Sequence, residues 1–261
     1  MPLLRRHTDW LMRRISPAHR LERKHEAELS FWRDSLQQLD QWFNHGAVGK
    51  TGIRPPDAHQ KLNVSKSWIT NAVMTRHAMC PSYTERLRIE RNVFHGQRVL
   101  EIGCGPLAPI LQFEGCFRHC IDPLVNVYMA AGWPLFDYDA KFINTGGETL
   151  PYPDAYFDSV ISVNALDHVD DFEQTASEIQ RVLRSGGKAY FEVEYHKATV
   201  TEPVELEELR VRQAFRECEL KIVVDRTGRE MYDAMVKKFD LLPFNFQHFH
   251  GRFSAWHATR I

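Results

Sequence analysis

Residues 99–109 read VLEIGCGPLAP, and this short stretch indicates more about the fold than any other part of the chain. Its apolar first half is typical of a buried strand, and Gly103 and Gly105 follow where a strand would turn into a helix. Glycines at such a turn let a ligand approach the backbone closely. The stretch therefore predicts a ligand-binding turn at the carboxyl end of a strand.

An acidic residue stands where the next strand is expected to end. The stretch RHCID ends at Asp122, 21 residues after Glu101. An acid at this place accepts hydrogen bonds from ribose hydroxyls. A dinucleotide would use the same architecture, since Ala108 is tolerated as the third residue of the GxGxxG fingerprint. Glu101 distinguishes a dinucleotide from other ligands, because its carboxylate would repel an anionic pyrophosphate but suits a ligand that carries an ammonium and a sulfonium.

Strands and helices alternate over residues 96–261. Apolar stretches predict seven strands, at 97–103, 118–122, 141–145, 157–163, 188–195, 220–225 and 253–259. Helical patterns predict helices at 107–113, 124–131, 171–183, 205–218 and 229–238. Strands separated by helices indicate a parallel sheet that is covered on both faces. We expect an α/β fold, a doubly wound seven-stranded Rossmann-like sheet.

Residues 1–95 are expected to form a helical N-terminal extension. Apolar residues recur at steps of three and four from Ala18 to Asn44, the region 48–57 has the Gly and Pro content of a loop, and residues 62–93 look helical with a break near Pro81. An open sheet leaves its ligand site exposed, so we expect these helices to act as a lid over the domain at 96–261.

The first 25 residues hold seven Arg and Lys residues and only two acids. Such a basic, partly amphipathic segment can contact an anionic membrane surface or a phosphorylated partner. The alternative is a solvated helix that packs its apolar stripe on its own domain.

Composition excludes several classes of protein. The chain has 33 Lys and Arg residues against 34 Asp and Glu residues, so it lacks the basic excess of a nucleic-acid-binding protein. Its five cysteines include no CxxC pair, which argues against a disulfide framework or a zinc knuckle. No stretch approaches the roughly 18 apolar residues of a spanning helix, and the start lacks the apolar core of a signal peptide. We therefore expect a cytoplasmic location.

Five motifs in order cover residues 97–194. They are EIGCG at 101–105, Asp122, GETLPYPDAYFD at 147–158, NALDHV at 164–169 and RSGGK at 184–188. Together they resemble the class I S-adenosylmethionine-dependent methyltransferases of the broad small-molecule group. The resemblance implies S-adenosyl-L-methionine as cofactor. It also implies that cofactor contacts come from Glu101, Gly103, Cys104, Gly105, Asp122, Glu148, Asn164 and, from the lid, Tyr83.

Two positions depart from the pattern of the family. Leu107 stands where the first motif usually has a third glycine, and the acid expected near the adenine falls at Gly146. Adenine contact is therefore expected from the backbone, from Glu148, or from no acid at all.

Candidate catalytic residues follow the fourth and fifth strands, where ligands of open α/β sheets bind. They are Asp167, His168 and His196, with either histidine as the base that takes a proton from a hydroxyl. We predict no metal. A Mg²⁺ site built from Asp167, Asn164 and His196 remains an alternative, since some sugar and catechol O-methyltransferases bind this ion.

The resemblance implies methyl transfer, and we expect O-methylation of a sugar, a glycan or another polar small molecule. NALDH at 164–168 differs from the motif of amine-modifying nucleic-acid methyltransferases, so no nucleic acid is expected as substrate. The segments 196–209 and 244–253 hold polar and aromatic residues suited to recognising an acceptor. The alternatives are N- or C-methylation of a metabolite, or a cofactor-binding module without catalysis. The oligomeric state is not predicted.

Overall fold

The computed structural model describes residues 17–45, 67–80, 82–199, 201–237 and 251–261. The start of the basic segment, the predicted loop at 48–57 and residues 244–250 of the second acceptor segment lie outside these ranges. Within them, no helix is both long and apolar enough to span a bilayer. All five cysteines are buried and free.

In the described part of the chain, seven strands form one sheet, which confirms the predicted fold class. They are β1 (Arg98–Ile102), β2 (Phe117–Ile121), β3 (Lys141–Ile143), β4 (Phe157–Val163), β5 (Leu183–Tyr195), β6 (Cys218–Thr227) and β7 (Arg252–Arg260). Their order is β3-β2-β1-β4-β5-β7-β6. All neighbouring pairs are parallel except those of β7, which runs antiparallel to both β5 and β6. The sheet is therefore mixed rather than wholly parallel.

The helices are α1 (Pro17–Asn44), α2 (Trp68–Met79), α3 (Ser82–Leu87), α4 (Val125–Ala130), α5 (Phe172–Val182), α6 (Glu208–Ala214) and α7 (Gly228–Tyr232). They cover the two faces of the sheet with two apolar clusters. One contains Leu39 of α1, Ala72 of α2 and Leu87 of α3. The other contains Ile179 of α5 and Val211 of α6. The N-terminal helices thus share a core with the sheet.

The prediction of a helix at 107–113 is wrong. The chain forms only a short 3-10 helix at Pro109–Gln112, preceded by Ala108 with a φ of 42°. Proline disfavours the helical conformation at the residue before it and cannot donate a hydrogen bond, so an α-helix cannot run from 107 through Pro109. α2 packs on this turn instead, where the His77 Nε2 atom lies 2.8 Å from the Leu107 carbonyl oxygen.

The other predicted helices are present with shifted ends. The pattern at 205–218 gives only Glu208–Ala214, and the pattern at 229–238 gives Gly228–Tyr232 followed by a π-helical turn at Asp233–Lys237. α5 begins where a polar side chain can cap it, since Asp171 accepts a hydrogen bond from the Gln174 amide at 2.9 Å. This cap fixes the start of the helix directly after the motif at 164–169.

Candidate functional site

A cavity of about 720 Å³ opens at the carboxyl ends of β1, β2 and β4. β1 and β4 are neighbours although β4 comes later in the chain, so the cavity lies where the strand order reverses. α1 contributes Lys24, Glu28 and Trp32 to its wall. Seven of the eight predicted cofactor residues line it: Tyr83, Gly103, Cys104, Gly105, Asp122, Glu148 and Asn164.

Asp122 is held rigidly at the end of β2. Its Oδ2 atom accepts a hydrogen bond from the Gly105 amide at 3.0 Å, and its Oδ1 atom accepts one from the Leu124 amide at 2.9 Å. Burial raises the pKa of Asp122 to about 6. The carboxylate thus joins the glycine turn to β2 and still has lone pairs for hydroxyl donors from the cavity.

Glu101 lies beneath the glycine turn and does not line the cavity. Its Oε2 atom accepts a hydrogen bond from the Ile110 amide at 3.0 Å, and its Oε1 atom has no hydrogen-bond partner among the described residues. Burial raises the pKa of Glu101 to about 8, although the Ile110 amide and the nearby phenol of Tyr83 act in the opposite direction. Glu101 therefore supports the turn from below, and the Tyr83 phenol approaches this carboxyl group.

Glu148 fills the space where Gly146 lacks a side chain. A Cβ atom added to Gly146 would overlap the Glu148 Oε2 atom. The Oε1 atom accepts a hydrogen bond from the Asp170 amide at 2.7 Å, which anchors the carboxylate at the cavity wall. The Glu148 carboxylate thus occupies the space that a side chain at position 146 would fill, which is where the family pattern has an acid.

His168 lies in the cavity wall opposite α1. Its Nδ1 atom is 3.4 Å from the Glu28 Oε1 atom, and its Nε2 atom is 3.9 Å from the Glu202 Oε1 atom and has no hydrogen-bond partner among the described residues. Burial alone would lower the pKa of His168, but the bond to Glu28 and the charges of Asp167, Glu28 and Glu202 raise it. The Lys24 ammonium donates to the His168 carbonyl oxygen.

Asp167 and His196 form a pair behind the cavity wall, and neither lines the cavity. The His196 Nε2 atom lies 3.1 Å from the Asp167 Oδ2 atom, and the Asp167 side chain is fully buried. The bond to Asp167 raises the pKa of His196 to about 9. A histidine with this pKa is protonated near neutral pH, so His196 is poorly suited to act as a base.

Among the described residues, one group of side chains has the spacing of a metal site. Ligand atoms of Asp167, His168 and Glu202 all lie within 4.8 Å of one another. These residues differ from the predicted alternative, because Asn164 and His196 are not among them. Nitrogen and carboxylate ligands of this kind can hold a divalent ion.

Sequence reasoning missed Lys24, Glu28, Arg76, Arg86 and Glu202, all of which line the cavity. Glu28 had a detectable signal, because a carboxylate on the otherwise apolar stripe of a helix requires an explanation. Arg86 is paired across the fold, with its Nε atom 3.0 Å from the Glu192 Oε1 atom. No local pattern could have found this pair, since the two residues are far apart in the sequence.

Gly103→Ala is expected to abolish binding of S-adenosylhomocysteine, the demethylated form of the cofactor suggested by the motifs. Gly103 has a φ of +71°, and an added Cβ atom would overlap the Cβ atom of Ala165. Gly96→Ala is the matched control, because Gly96 has a φ of +76° with no atom within 4 Å of the added Cβ. The loss of stability in the control should be limited to the backbone strain of about 1–2 kcal/mol, whereas Gly103→Ala adds the overlap with Ala165 to this strain. Calorimetry and thermal melting would measure both effects, and equal behaviour of the two variants would contradict this account.

Known proteins are similar to the central part of the chain. A family model described as "Methyltransferase domain" matches residues 100–191. The chain is 29% identical over 126 residues to sterol 24-C-methyltransferase ERG6B of Gibberella zeae, covering 45% of this chain and 32% of that protein. It is 28% identical over 116 residues to O-methyltransferase rstn1 of Aspergillus nomiae, covering 40% of this chain and 52% of that protein. The chain thus spans about a third of the length of the first of these curated relatives and about half of the length of the second.

A solved structure supports the fold. Phosphoethanolamine N-methyltransferase 2 of Haemonchus contortus, in complex with phosphomonomethylethanolamine and S-adenosylhomocysteine, matches with a TM-score of 0.53 at 14% identity, covering 75% of this chain and 58% of that chain. The names of these three proteins place the methyl group on carbon, oxygen and nitrogen, so similarity does not select the acceptor atom. The predicted family and cofactor are confirmed for this stretch, and residues 100–191 carry a class I S-adenosylmethionine-dependent methyltransferase domain.

Proposed function

We propose that this chain transfers the methyl group of S-adenosylmethionine to a hydroxyl oxygen of a sugar or another polar small molecule. The pairing of His168 with Glu28 in the cavity wall supports this most strongly. A hydroxyl must lose its proton when its oxygen is methylated, so it needs a base within reach. The carboxylate holds the Nδ1 proton of the imidazole and leaves the Nε2 atom available for a second proton.

When bound, S-adenosylmethionine would supply its methyl carbon to the acceptor oxygen, and the electrons of its carbon–sulfur bond would stay on the sulfur. The His168 Nε2 atom would take the proton that the hydroxyl loses. Glu28 stabilises the imidazolium that forms, as its effect on the pKa of His168 indicates. The remaining task is to hold the oxygen in line with the carbon–sulfur bond.

Polar groups around His168 favour a hydroxyl-rich acceptor. Thr199, Thr201 and Glu202, from the segment after β5, line the cavity on this side. The threonine hydroxyls can donate hydrogen bonds to sugar hydroxyls and accept hydrogen bonds from them, and the carboxylate can accept hydrogen bonds from them. We assign acceptor recognition to this segment, with Asp167 and His196 behind it as groups that position the loop rather than touch the acceptor.

We assign the ribose hydroxyls of the cofactor to Asp122, the adenine side to Glu148, and the remaining contacts to the glycine turn, Tyr83 and Asn164, with Glu101 acting through the turn. We also propose that residues 1–95 act as a lid on the domain at 96–261, because α1 contributes Lys24, Glu28 and Trp32 to the cavity. A cytoplasmic location and contact between residues 1–25 and an anionic membrane stay predictions from composition. The absence of a nucleic-acid acceptor likewise stays a prediction, from the charge balance and from the sequence NALDH at 164–168.

Incubation of the full chain with methyl-labelled S-adenosylmethionine and a panel of sugars, phenols, amines and carbon acids tests the function. We expect a methyl ether, located by NMR on the product. Methylation of nitrogen or carbon alone would contradict the proposal. Tight binding of the cofactor with no product from any acceptor would favour a module without catalysis.

The rate should rise with pH as His168 loses its proton. Because the pKa of His168 is raised from 6.5, the inflection of kcat should lie above that value, with the active, neutral form present on the alkaline side. Glu28→Gln removes the carboxylate and should move the inflection to lower pH. Glu26→Gln, at an exposed site on the same helix and outside the cavity, is the control and should leave the profile unchanged. An unmoved inflection in Glu28→Gln would exclude the pair as the base.

A further inference from the structure

Arg76 is a buried cation with no anionic partner among the residues that the structure describes. Its side chain on α2 lines the cavity while the residue is only 9% exposed. No hydrogen bond or ion pair joins its guanidinium to any residue that the structure describes. Burial lowers the pKa of Arg76, and no described carboxylate lies close enough to offset this effect. A guanidinium nevertheless stays charged in proteins, so a negative group is missing from its surroundings.

The other Arg and Lys side chains of the described cavity wall have partners. Arg86 binds Glu192 through both oxygen atoms, at 3.0 and 3.2 Å from its Nε atom. Lys24 lies 3.6 Å from Asp170 and donates to the His168 carbonyl oxygen. Arg76 therefore differs from its neighbours in charge compensation, and the cavity beside it is the place from which an anion can come.

We propose that Arg76 binds the α-carboxylate of the methionine part of S-adenosylmethionine. The carboxylate is the one anionic group of this cofactor, and a guanidinium can bind it through two parallel hydrogen bonds. The inference goes beyond the proposed acceptor chemistry and rests on the cofactor alone.

The position of α2 is consistent with binding of the methionine end of the cofactor. His77, the next residue, contacts the Leu107 carbonyl oxygen, so α2 packs directly on the turn that follows β1. Tyr83, whose amide donates to Gln112 at 3.1 Å, lies on the same side of the cavity. The groups assigned to ribose and adenine, Asp122 and Glu148, come instead from β2 and the segment after β3. The methionine part is therefore the part of the cofactor that can extend toward α2.

An anionic acceptor is a weaker explanation for Arg76. The wall around His168 holds Glu28, Asp170 and Glu202, whose carboxylates would repel an anion. None of these three acids acts on the pKa of Arg76, which places them away from its guanidinium. An acceptor seated at His168 would therefore meet negative charge, whereas the cofactor carboxylate would meet Arg76.

The test compares S-adenosylhomocysteine with its analogue that lacks only the carboxylate, by calorimetry on the full chain. Wild-type protein should bind the analogue about 10–100-fold more weakly. Arg76→Gln should weaken binding of S-adenosylhomocysteine to nearly the same extent. The same variant should change the affinity for the analogue by less than about threefold. Arg76→Lys, which keeps the charge, should retain part of the preference. Arg88→Gln, at an exposed arginine outside the cavity, is the control and should leave both affinities unchanged.

Thermal melting separates this role from a structural one. Without ligand, Arg76→Gln should melt at the same temperature as wild type or higher, because it removes an uncompensated buried charge. Equal weakening of both ligands, or an unchanged preference for S-adenosylhomocysteine, would overturn the proposal. An increased KM for the acceptor with an unchanged ligand preference would also overturn it, since Arg76 would then bind the acceptor.

Discussion

Replacing His168 by glutamine is expected to lower kcat by about 10²–10⁴-fold, the usual contribution of a positioned general base. Glutamine keeps a polar side chain in the cavity wall but cannot accept the proton that the acceptor oxygen loses. Binding of S-adenosylhomocysteine should change little, because the cofactor contacts come from other residues. Steady-state kinetics on the acceptor found in the panel, together with calorimetry, would measure both effects.

His25→Gln is the matched control for this variant. His25 is also an imidazole in the cavity wall, but burial lowers its pKa and it is not the residue paired with Glu28 at the acceptor end. It should retain most of the activity. Full activity in His168→Gln would remove His168 from the mechanism. A chelator that abolishes wild-type activity would show that Asp167, His168 and Glu202 hold an ion instead, and that the histidine is a ligand rather than a base.

Asp122→Asn should weaken S-adenosylhomocysteine by about 10–100-fold, since a hydrogen bond to a charged group contributes about 1.5–3 kcal/mol. Both oxygens of Asp122 accept backbone amides, from Gly105 and Leu124. An amide side chain must turn its NH₂ group toward one of these donors, so the variant should also distort the glycine turn. Calorimetry would measure the affinity and thermal melting the loss of stability.

The wild-type protein should show a related effect of pH. The pKa of Asp122 is raised to about 6 by burial, so its carboxylate gains a proton as the pH falls through that value. Cofactor affinity should therefore decrease on the acid side. Asp139→Asn, at a side chain that is 92% exposed, is the control for the variant and should bind normally. Normal binding by Asp122→Asn would show that the ribose is recognised by another group.

Local patterns predicted the strands well because each strand has its own apolar stretch and its own turn residues. The same patterns could not give the direction of β7, since alternation of apolar residues is the same in parallel and antiparallel strands. The helix expected at 107–113 failed at Pro109, where one residue overrides an otherwise helical pattern. The structure therefore departs from prediction where long-range pairing or a single proline decides the conformation.

The residues of the candidate site also fall into two groups, those that local patterns predict and those that only long-range packing brings together. Gly103, Gly105 and Asp122 were accessible to sequence reasoning because they occupy fixed offsets from strand ends. Glu28 and His168 are 140 residues apart, and only the packing of α1 brings them together. Arg76 belongs to a helix whose apolar pattern gave no reason to expect a buried charge.

The placement of β7 has a consequence for how the chain is made. β7 follows β6 in the sequence but lies between β5 and β6, and in the described sheet β6 pairs with β7 alone. On the ribosome, β5 and β6 must therefore wait with unpaired backbone edges until residues 252–260 have left the exit tunnel. Unpaired edges invite association with other chains. Pairing of β7 thus covers one free edge of β5 and one free edge of β6 at the same time.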